Sequence, residues 1–309
     1  MASYLVSIAT FAGIYAILTL GLNVMWGLTG MINLGLAGFF AVGAYASALV
    51  TTALGAPIWL GFATSAVAAA LAGAVLTAST LRLRGDYLAI VTLGFAELVR
   101  LIASNEIWLT RGTDGISGIP GPLRGALSPA DFNLLYFGLV VLGAGAVLVL
   151  TQRIAFSPFG RVLRSIRDDD GVAAVAGKHV ARFKIAAFAL GSAILGLAGA
   201  FYAHYTSYIA PDIFRPLITI YIFLALTAGG TGNGVGALVG ALIVMAILEG
   251  TRFLAAEIPG LSGVQTAALR EFTIGATLIV IMRVRPRGLI PEPVPMLGPA
   301  TGGGREARP

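Results

Sequence analysis

The chain contains no cysteine. That excludes disulfides, thiolate metal sites and a cysteine nucleophile. Charge is scarce as well: Asp, Glu, Lys and Arg make up 11% of the 309 residues, against about 25% in an ordinary soluble protein. The only histidines are His179 and His204, too few and too far apart in sequence for an imidazole metal cluster. There is no HExxH and no GxSxG. A phosphate loop requires GxxxxGK followed by Ser or Thr, because its lysine contacts the phosphates, and the Gly-rich stretch AGGTGNGVGALVGA (228–241) has no lysine near it. An enzyme, a bound cofactor and a metal site are therefore not expected. No Lys or Arg precedes Arg82, so the charged start of a cleavable signal peptide is not expected either.

What fills the chain instead is apolar. Hydrophobic residues make up 57%, and mean hydropathy is +0.90. Runs of roughly 20 apolar residues recur, and a helix needs about that many to cross the hydrocarbon core of a bilayer. They do not alternate as barrel strands do. The expectation is an all-α integral membrane protein: a polytopic bundle of about nine transmembrane helices. The runs fall near 4–26, 31–53, 57–80, 86–104, 133–152, 184–205, 216–228, 234–254 and 268–284. The seventh is short and needs a tilt or an extension from Pro211 to Arg215. Residues 1–290 then form the membrane domain. The Pro- and Gly-rich end 291–309 reads as a disordered tail.

The net charge is +6, and the basic residues cluster. Arg153, Arg161, Arg164, Arg167, Lys178, Arg182 and Lys184 share one loop, Arg82 and Arg84 another, and Arg283, Arg285 and Arg287 follow the last run. With nine crossings all three groups fall on one side, which the positive-inside rule makes cytoplasmic. The C-terminus is then cytoplasmic and the segment 105–132 external. Basic loops of this kind imply a membrane and its lipid, not nucleic acid.

Glycine is abundant, 41 residues, and in lipid small residues let helix backbones approach closely. Gly232, Gly236 and Gly240 form one GxxxGxxxG face. Gly27 and Gly30 link the first two runs, and Gly35, Gly38 and Gly43 dot the second. Glycine-interrupted helices also line substrate paths, so Gly30, Asn33, Gly35, Gly38 and Tyr45 are path candidates, with close packing as the alternative. Glu97 and Arg100, like Glu249 and Arg252, are spaced three apart and suit pairing within one helix. Asp86 suits a helix start. His204 reads as an interfacial residue near the outer end.

One stretch breaks the apolar pattern. SPFGRVLRSIRDDDGVAAVAGKH, from Ser157 to His179, carries seven charged residues. Ser157 and Pro158 read as a helix cap and first position. Phe159, Val162, Leu163 and Ile166 cover one face of that helix, and Arg161, Arg164 and Arg167 the other. Asp168 reads as the cap of a second short helix through Ala173 and Ala174, stopped by Gly177. The insert 153–184 is thus expected to be a bent helical pair at the cytoplasmic surface, docking either a partner or anionic lipid.

Four stretches resemble a known family: GLNVMWGLTGMINLGLAGFFAVGAY (21–45), LRLRGDYLAIVTLGFAELVR (81–100), SPFGRVLRSIRDDDGVAAVAG (157–177) and AGGTGNGVGALVGA (228–241). GTDGISGIP (112–120) adds to the likeness. The chain resembles the LivM-type permease subunits of branched-chain amino acid ABC importers over nearly its whole length. It departs from that pattern at Leu36, Arg111 and Lys178. The resemblance implies a bacterial inner-membrane permease with a LivH-type second permease, two cytoplasmic ATPase subunits and an external solute-binding protein. It makes the insert a coupling helix against an ATPase subunit, through Phe159, Arg161, Val162, Leu163, Arg164, Ile166, Arg167, Asp168, Ala173, Ala174 and Gly177. Within the family, urea, short amides and aromatic acids are alternative cargoes. A stand-alone secondary transporter or channel is the rival from another class.

Overall fold

A computed structural model of the chain describes residues 2–81, 83, 85–256, 263–285 and 287–293. α1 (Ala2–Leu22) continues as a π-helical turn over Asn23–Gly27. α2 (Leu36–Thr52), α3 (Ile58–Thr80), α4 (Gly85–Asn105) and the single turn α5 (Ile107–Thr110) follow. Strand β1 (Ile116–Ser117) then precedes α6 (Pro129–Phe156). α7 (Pro158–Asp168) and α8 (Asp170–Val175) form the insert, and α9 (Val180–Thr206) leads to strand β2 (Tyr208–Ile209). α10 (Leu217–Gly229), α11 (Gly234–Ala256) and α12 (Gly263–Val284) complete the order. Helix dominates, and β1 and β2 form one short antiparallel pair with Ile116 opposite Ile209.

Each of the nine apolar runs coincides with a helix. Among the described residues six helices are long and apolar enough to cross a membrane, and α2 and α10 are shorter apolar helices. α1 lies at the centre, packed on α6, α9, α10 and α11. Its sequence has no charge and no proline, and Ile14, Ile17, Leu18, Leu20 and Leu22 are fully buried on all its faces. A helix apolar all round belongs in an interior. α9 forms the second axis and packs on α2 and α3. There Gly43 of α2 faces Gly196 of α9 so closely that a Cβ on Gly43 would overlap the Gly196 backbone. Ser65 of α3 donates a hydrogen bond to the Gly196 carbonyl at 2.5 Å. Small residues at the contact replace the hydrophobic drive that lipid does not supply.

One expected boundary shifts. The second apolar run becomes helical only at Leu36, not near 31. Residues 28–35 are irregular because Asn33 Oδ1 accepts from Gly35 N–H at 2.8 Å and Thr92 Oγ1 accepts from Leu34 N–H at 3.0 Å. Non-helical backbone at membrane depth is tolerated where protein satisfies its polar groups in this way. The seventh run is indeed short: α10 has 13 residues, about 20 Å at 1.5 Å per residue. A 3₁₀ turn over Pro211–Phe214 precedes it, and the buried Phe214 ring packs 5.1 Å from Phe40 and 5.8 Å from Tyr45.

The loops sort to two ends. At one end lie residues 28–31, the insert, the α10–α11 turn and 287–293. There Asn23 Oδ1 accepts from Gly232 N–H at 2.8 Å, and Leu289 N–H donates to the Ala228 carbonyl at 2.9 Å. At the other end the segment 115–124 folds onto the end of α9. Ser207 Oγ donates to the Ile119 carbonyl at 2.7 Å, and Ile119 N–H donates to the Ser207 carbonyl at 3.3 Å. The segment expected to be a disordered tail from Pro291 is held at its start: Ile290 N–H donates to the Gly229 carbonyl at 2.9 Å and Asn233 Nδ2 to the Pro291 carbonyl at 3.1 Å. The remainder of that expectation, 294–309, lies outside the described residues, as do Arg82 and Arg84.

Candidate functional site

The insert folds as two short helices tightly fixed at their ends. Ser157 caps α7: its Oγ accepts from Gly160 N–H at 3.2 Å, and Pro158 occupies the first helical position. Gly160 sits so close to the Ile154 and Ala155 carbonyls that a Cβ there would overlap them, which lets α7 fold back on the end of α6. Asp169, rather than the expected Asp168, caps α8, its Oδ1 accepting from Val172 N–H at 3.0 Å. The helix phase sets this difference of one residue: Asp168 is still the last residue of α7, and Asp169 has the extended backbone a cap requires. At the far end Gly177 has φ of +77°. Its N–H donates to the Ala174 carbonyl at 3.0 Å, and Lys178 N–H donates to the Ala173 carbonyl at 3.1 Å. This is the paired 5→2 and 6→1 closure that favours glycine.

The apolar face of α7 points into the bundle. Leu163 is 0% exposed and Ile166 4%, and Ala173 of α8 is also fully buried. Phe159 stacks on Phe183 of α9 with ring centroids 5.4 Å apart, and Val162 is half-buried. Fully burying one leucine side chain from water contributes about 1.5–3 kcal/mol, so this face holds the insert to the underside of the bundle. Lys184 at the start of α9 pairs with Asp170 at 2.7 Å. That hydrogen bond holds the Asp170 carboxyl below its ordinary pKa.

The arginine face divides. Arg161 is exposed, whereas Arg164 and Arg167 are half-buried and turned back on the chain. Arg164 Nη2 donates to the Ala155 carbonyl at 2.8 Å. Arg167 Nη1 donates to the Gly27 carbonyl at 2.5 Å and pairs with Glu292 at 2.8 Å. The insert presents outward Arg161, Asp168, Ala174 and Gly177, with Asp169, Asp170 and Lys178 also exposed, together with Val172, 65% exposed, and Val175, 92% exposed.

The path candidates separate: the cavity that Gly30 lines does not include the other four. Gly30 lines a cavity of about 390 Å³ between α3, α4 and the insert, with Thr77, Thr80, Leu88, Arg167 and Asp170. Asn33, Gly35, Gly38 and Tyr45 are buried. Gly35 and Gly38 abut α4, where a Cβ would overlap the Thr92 carbonyl and come within 2.7 Å of Ala96 Cα respectively. Close packing accounts for both glycines. Tyr45 keeps a buried hydroxyl with no hydrogen-bond partner among the described residues.

Residues 4–282 match the family described as the permease component of branched-chain amino acid transport systems. The chain belongs to that family. It is 31% identical over 320 aligned positions to the high-affinity branched-chain amino acid transport system permease protein LivM of Escherichia coli K12, covering 94% of this chain and 71% of the relative. The probable LivM permease of Methanocaldococcus jannaschii is 29% identical, with 91% of each chain covered. The E. coli K12 permease LivH is 24% identical, with 92% of this chain and 93% of the relative covered. No solved structure matches the chain at a significant level. The family is one of transport permeases, not enzymes.

Other residues of this permease depart from their sequence reading. His204 is fully buried rather than interfacial. Its Nδ1 lies 2.6 Å from the Pro120 carbonyl and its Nε2 2.8 Å from Ser47 Oγ. A carbonyl only accepts, so Nδ1 carries the proton and Nε2 accepts from Ser47. Both partners are remote in sequence, which hid this role. Arg124, unremarked in the sequence, donates to the His204 carbonyl at 3.3 Å and to the Tyr205 carbonyl, and its guanidinium lies 4.2 Å from the Phe132 ring centre. It satisfies the free carbonyls at the end of α9. Glu97 and Arg100 pair within α4 as expected, with Nε 3.0 Å from Oε2. Glu249 accepts from Tyr4 at 2.9 Å, and the Arg252 side chain lies outside the described residues.

Proposed function

We propose that this chain is the membrane-spanning permease subunit of a bacterial ABC importer for branched-chain or related hydrophobic amino acids. Among the described residues six helices are of spanning length, and the shorter α2 and α10 together with α12 also run between the two ends described above, which supports nine crossings with the insert and C-terminus cytoplasmic in the inner membrane. The single observation that carries the mechanism is the insert. It is welded to the bundle by Leu163, Ile166 and Ala173, and it presents Val172 and Val175 outward. The exposed Asp168, Asp169 and Asp170 beside this tip repel the anionic headgroups that interfacial helices attract through Lys and Arg, so the tip suits a protein pocket rather than lipid.

In this reading each of two cytoplasmic ATPase subunits receives the insert of one permease, and the second permease is of the LivH type. ATP binding closes the ATPase pair. The insert moves as a rigid lever, and α6 and α9, which flank it, carry that motion into the bundle. An external solute-binding protein delivers the amino acid to the end formed by 106–128 and 207–216. Gly30, Asn33, Gly35, Gly38 and Tyr45 lie on the side of the bundle through which we place the path, where the Tyr45 hydroxyl has no hydrogen-bond partner among the described residues.

The test uses the absence of cysteine. Val175→Cys gives this chain its single thiol, at the tip of the insert, and the assembled complex is built with it. A bifunctional thiol–amine reagent is expected to join it to the ATPase subunit. Cross-linking confined to lipid or to the chain itself sinks this assignment.

A further inference from the structure

Three sequence features that are far apart meet at one carboxylate. Glu292 Oε2 lies 2.8 Å from Arg167 Nη1, and Oε1 lies 3.5 Å from Arg164 Nη1. The same Arg167 nitrogen donates to the Gly27 carbonyl at the end of α1. Glu292 also lies over the α10–α11 turn: a Cβ on Gly232 would come within 2.7 Å of its Cδ. That turn is pinned to α1 through Asn23 and Gly232, and to residues 289–291 through Ala228, Gly229 and Asn233. Gly30 has φ of +71°, and a Cβ there would come within 3.1 Å of Arg167 Cγ. The glycines of both turns therefore make room for this contact. Glu292 is mostly buried, its side chain 20% exposed.

Chain connectivity ties the insert only to α6 and α9. Arg167 adds a direct attachment to the end of α1 through the Gly27 carbonyl, and Glu292 holds that arginine while joining the insert to the α10–α11 turn. Charge-assisted hydrogen bonds at this partly dry junction are stronger than surface pairs. We propose that Glu292 is a positioning residue for transport: it locks the insert to the inner ends of α1, α10 and α11, so that motion of the insert reaches both halves of the bundle. The proposal rests on the coupling reading of the insert.

The experiment compares wild-type, Glu292→Gln and Glu292→Asp chains in the full reconstituted complex. Glu292→Gln keeps the shape and removes the charge. Amino acid taken up per ATP hydrolysed is expected to fall about tenfold, the factor that one charge-assisted hydrogen bond represents, while the ATPase subunits stay bound. Glu292→Asp keeps the charge and is expected to recover much of the ratio. An unchanged ratio in Glu292→Gln, or uptake and hydrolysis falling in proportion, overturns the proposal. A second measurement does not depend on the ATPase. Spin labels on Ser165→Cys and Val235→Cys, both exposed positions, are expected to give a narrow distance distribution that broadens in Glu292→Gln. An equally narrow distribution in that variant overturns the lock. Failure of the ATPase subunits to bind the wild-type chain removes the coupling reading instead, and the spin-label result still decides whether the contact holds the insert.

Discussion

Leu163→Ala separates anchoring of the insert from docking of its tip. Leu163 has no exposed surface and sits on the inward face of α7. Truncating a buried leucine costs about 2–5 kcal/mol, the lost transfer energy plus a residual cavity. Its neighbours Phe159 and Ile166 remain, so α7 stays helical but its hold on the bundle weakens. At about 1.4 kcal/mol per factor of ten, even the lower figure raises the detached population roughly thirtyfold. The apolar helices of the bundle are untouched, so membrane yield should be normal. Amide exchange in nanodiscs reads the effect directly: protection over 158–168 should drop by more than about tenfold, with no change in α1 or α9. Leu163→Met, which conserves volume, should cost under about 1.5 kcal/mol and keep most protection. Leu163→Asp should release the insert outright, because a carboxylate would enter a dry contact. Wild-type exchange in Leu163→Ala would refute the claim that this face holds the insert.

Two further predictions concern the bundle. A Cβ at Gly240 of α11 would overlap the Ala225 carbonyl of α10, so Gly240→Leu should abolish folded yield by size-exclusion profile, whereas Gly145→Leu on α6, with nothing among the described residues within 4 Å of its Cβ position, should be tolerated; equal yields would mean that α10 and α11 do not pack as described. Single thiols at the exposed Ser117 and Ser165 should label from opposite faces of intact cells, Ser117 from outside and Ser165 only from inside; labelling of both from one face would break the nine-crossing topology.

The long helices were legible because hydrophobic runs of bilayer length have few other uses. Even the shortness of α10 could be read from its apolar run. The insert was legible too, since Ser157-Pro158 and Gly177 carry strong local end signals. What was not legible depended on distant partners. Arg164 and Arg167 read as outward-facing cations because their partner Glu292 lies 125 residues beyond Arg167, in a stretch whose prolines suggested disorder. His204 read as interfacial because Ser47 and Pro120, which satisfy both ring nitrogens, come from other elements. The late start of α2 depends on Thr92, 58 residues from Leu34. The outward valines of α8 were passed over because a six-residue helix has too little pattern to show which face is free.

The central claim is that this chain transports hydrophobic amino acids only as part of an ATP-driven assembly. Uptake of radiolabelled leucine into proteoliposomes containing the chain with a LivH-type permease, ATPase subunits and the external binding protein tests it most directly. The account predicts uptake that requires both enclosed ATP and the binding protein, and that persists when the proton gradient is collapsed at constant ATP. Uptake by this chain alone, driven by an ion gradient and indifferent to ATP, would contradict it.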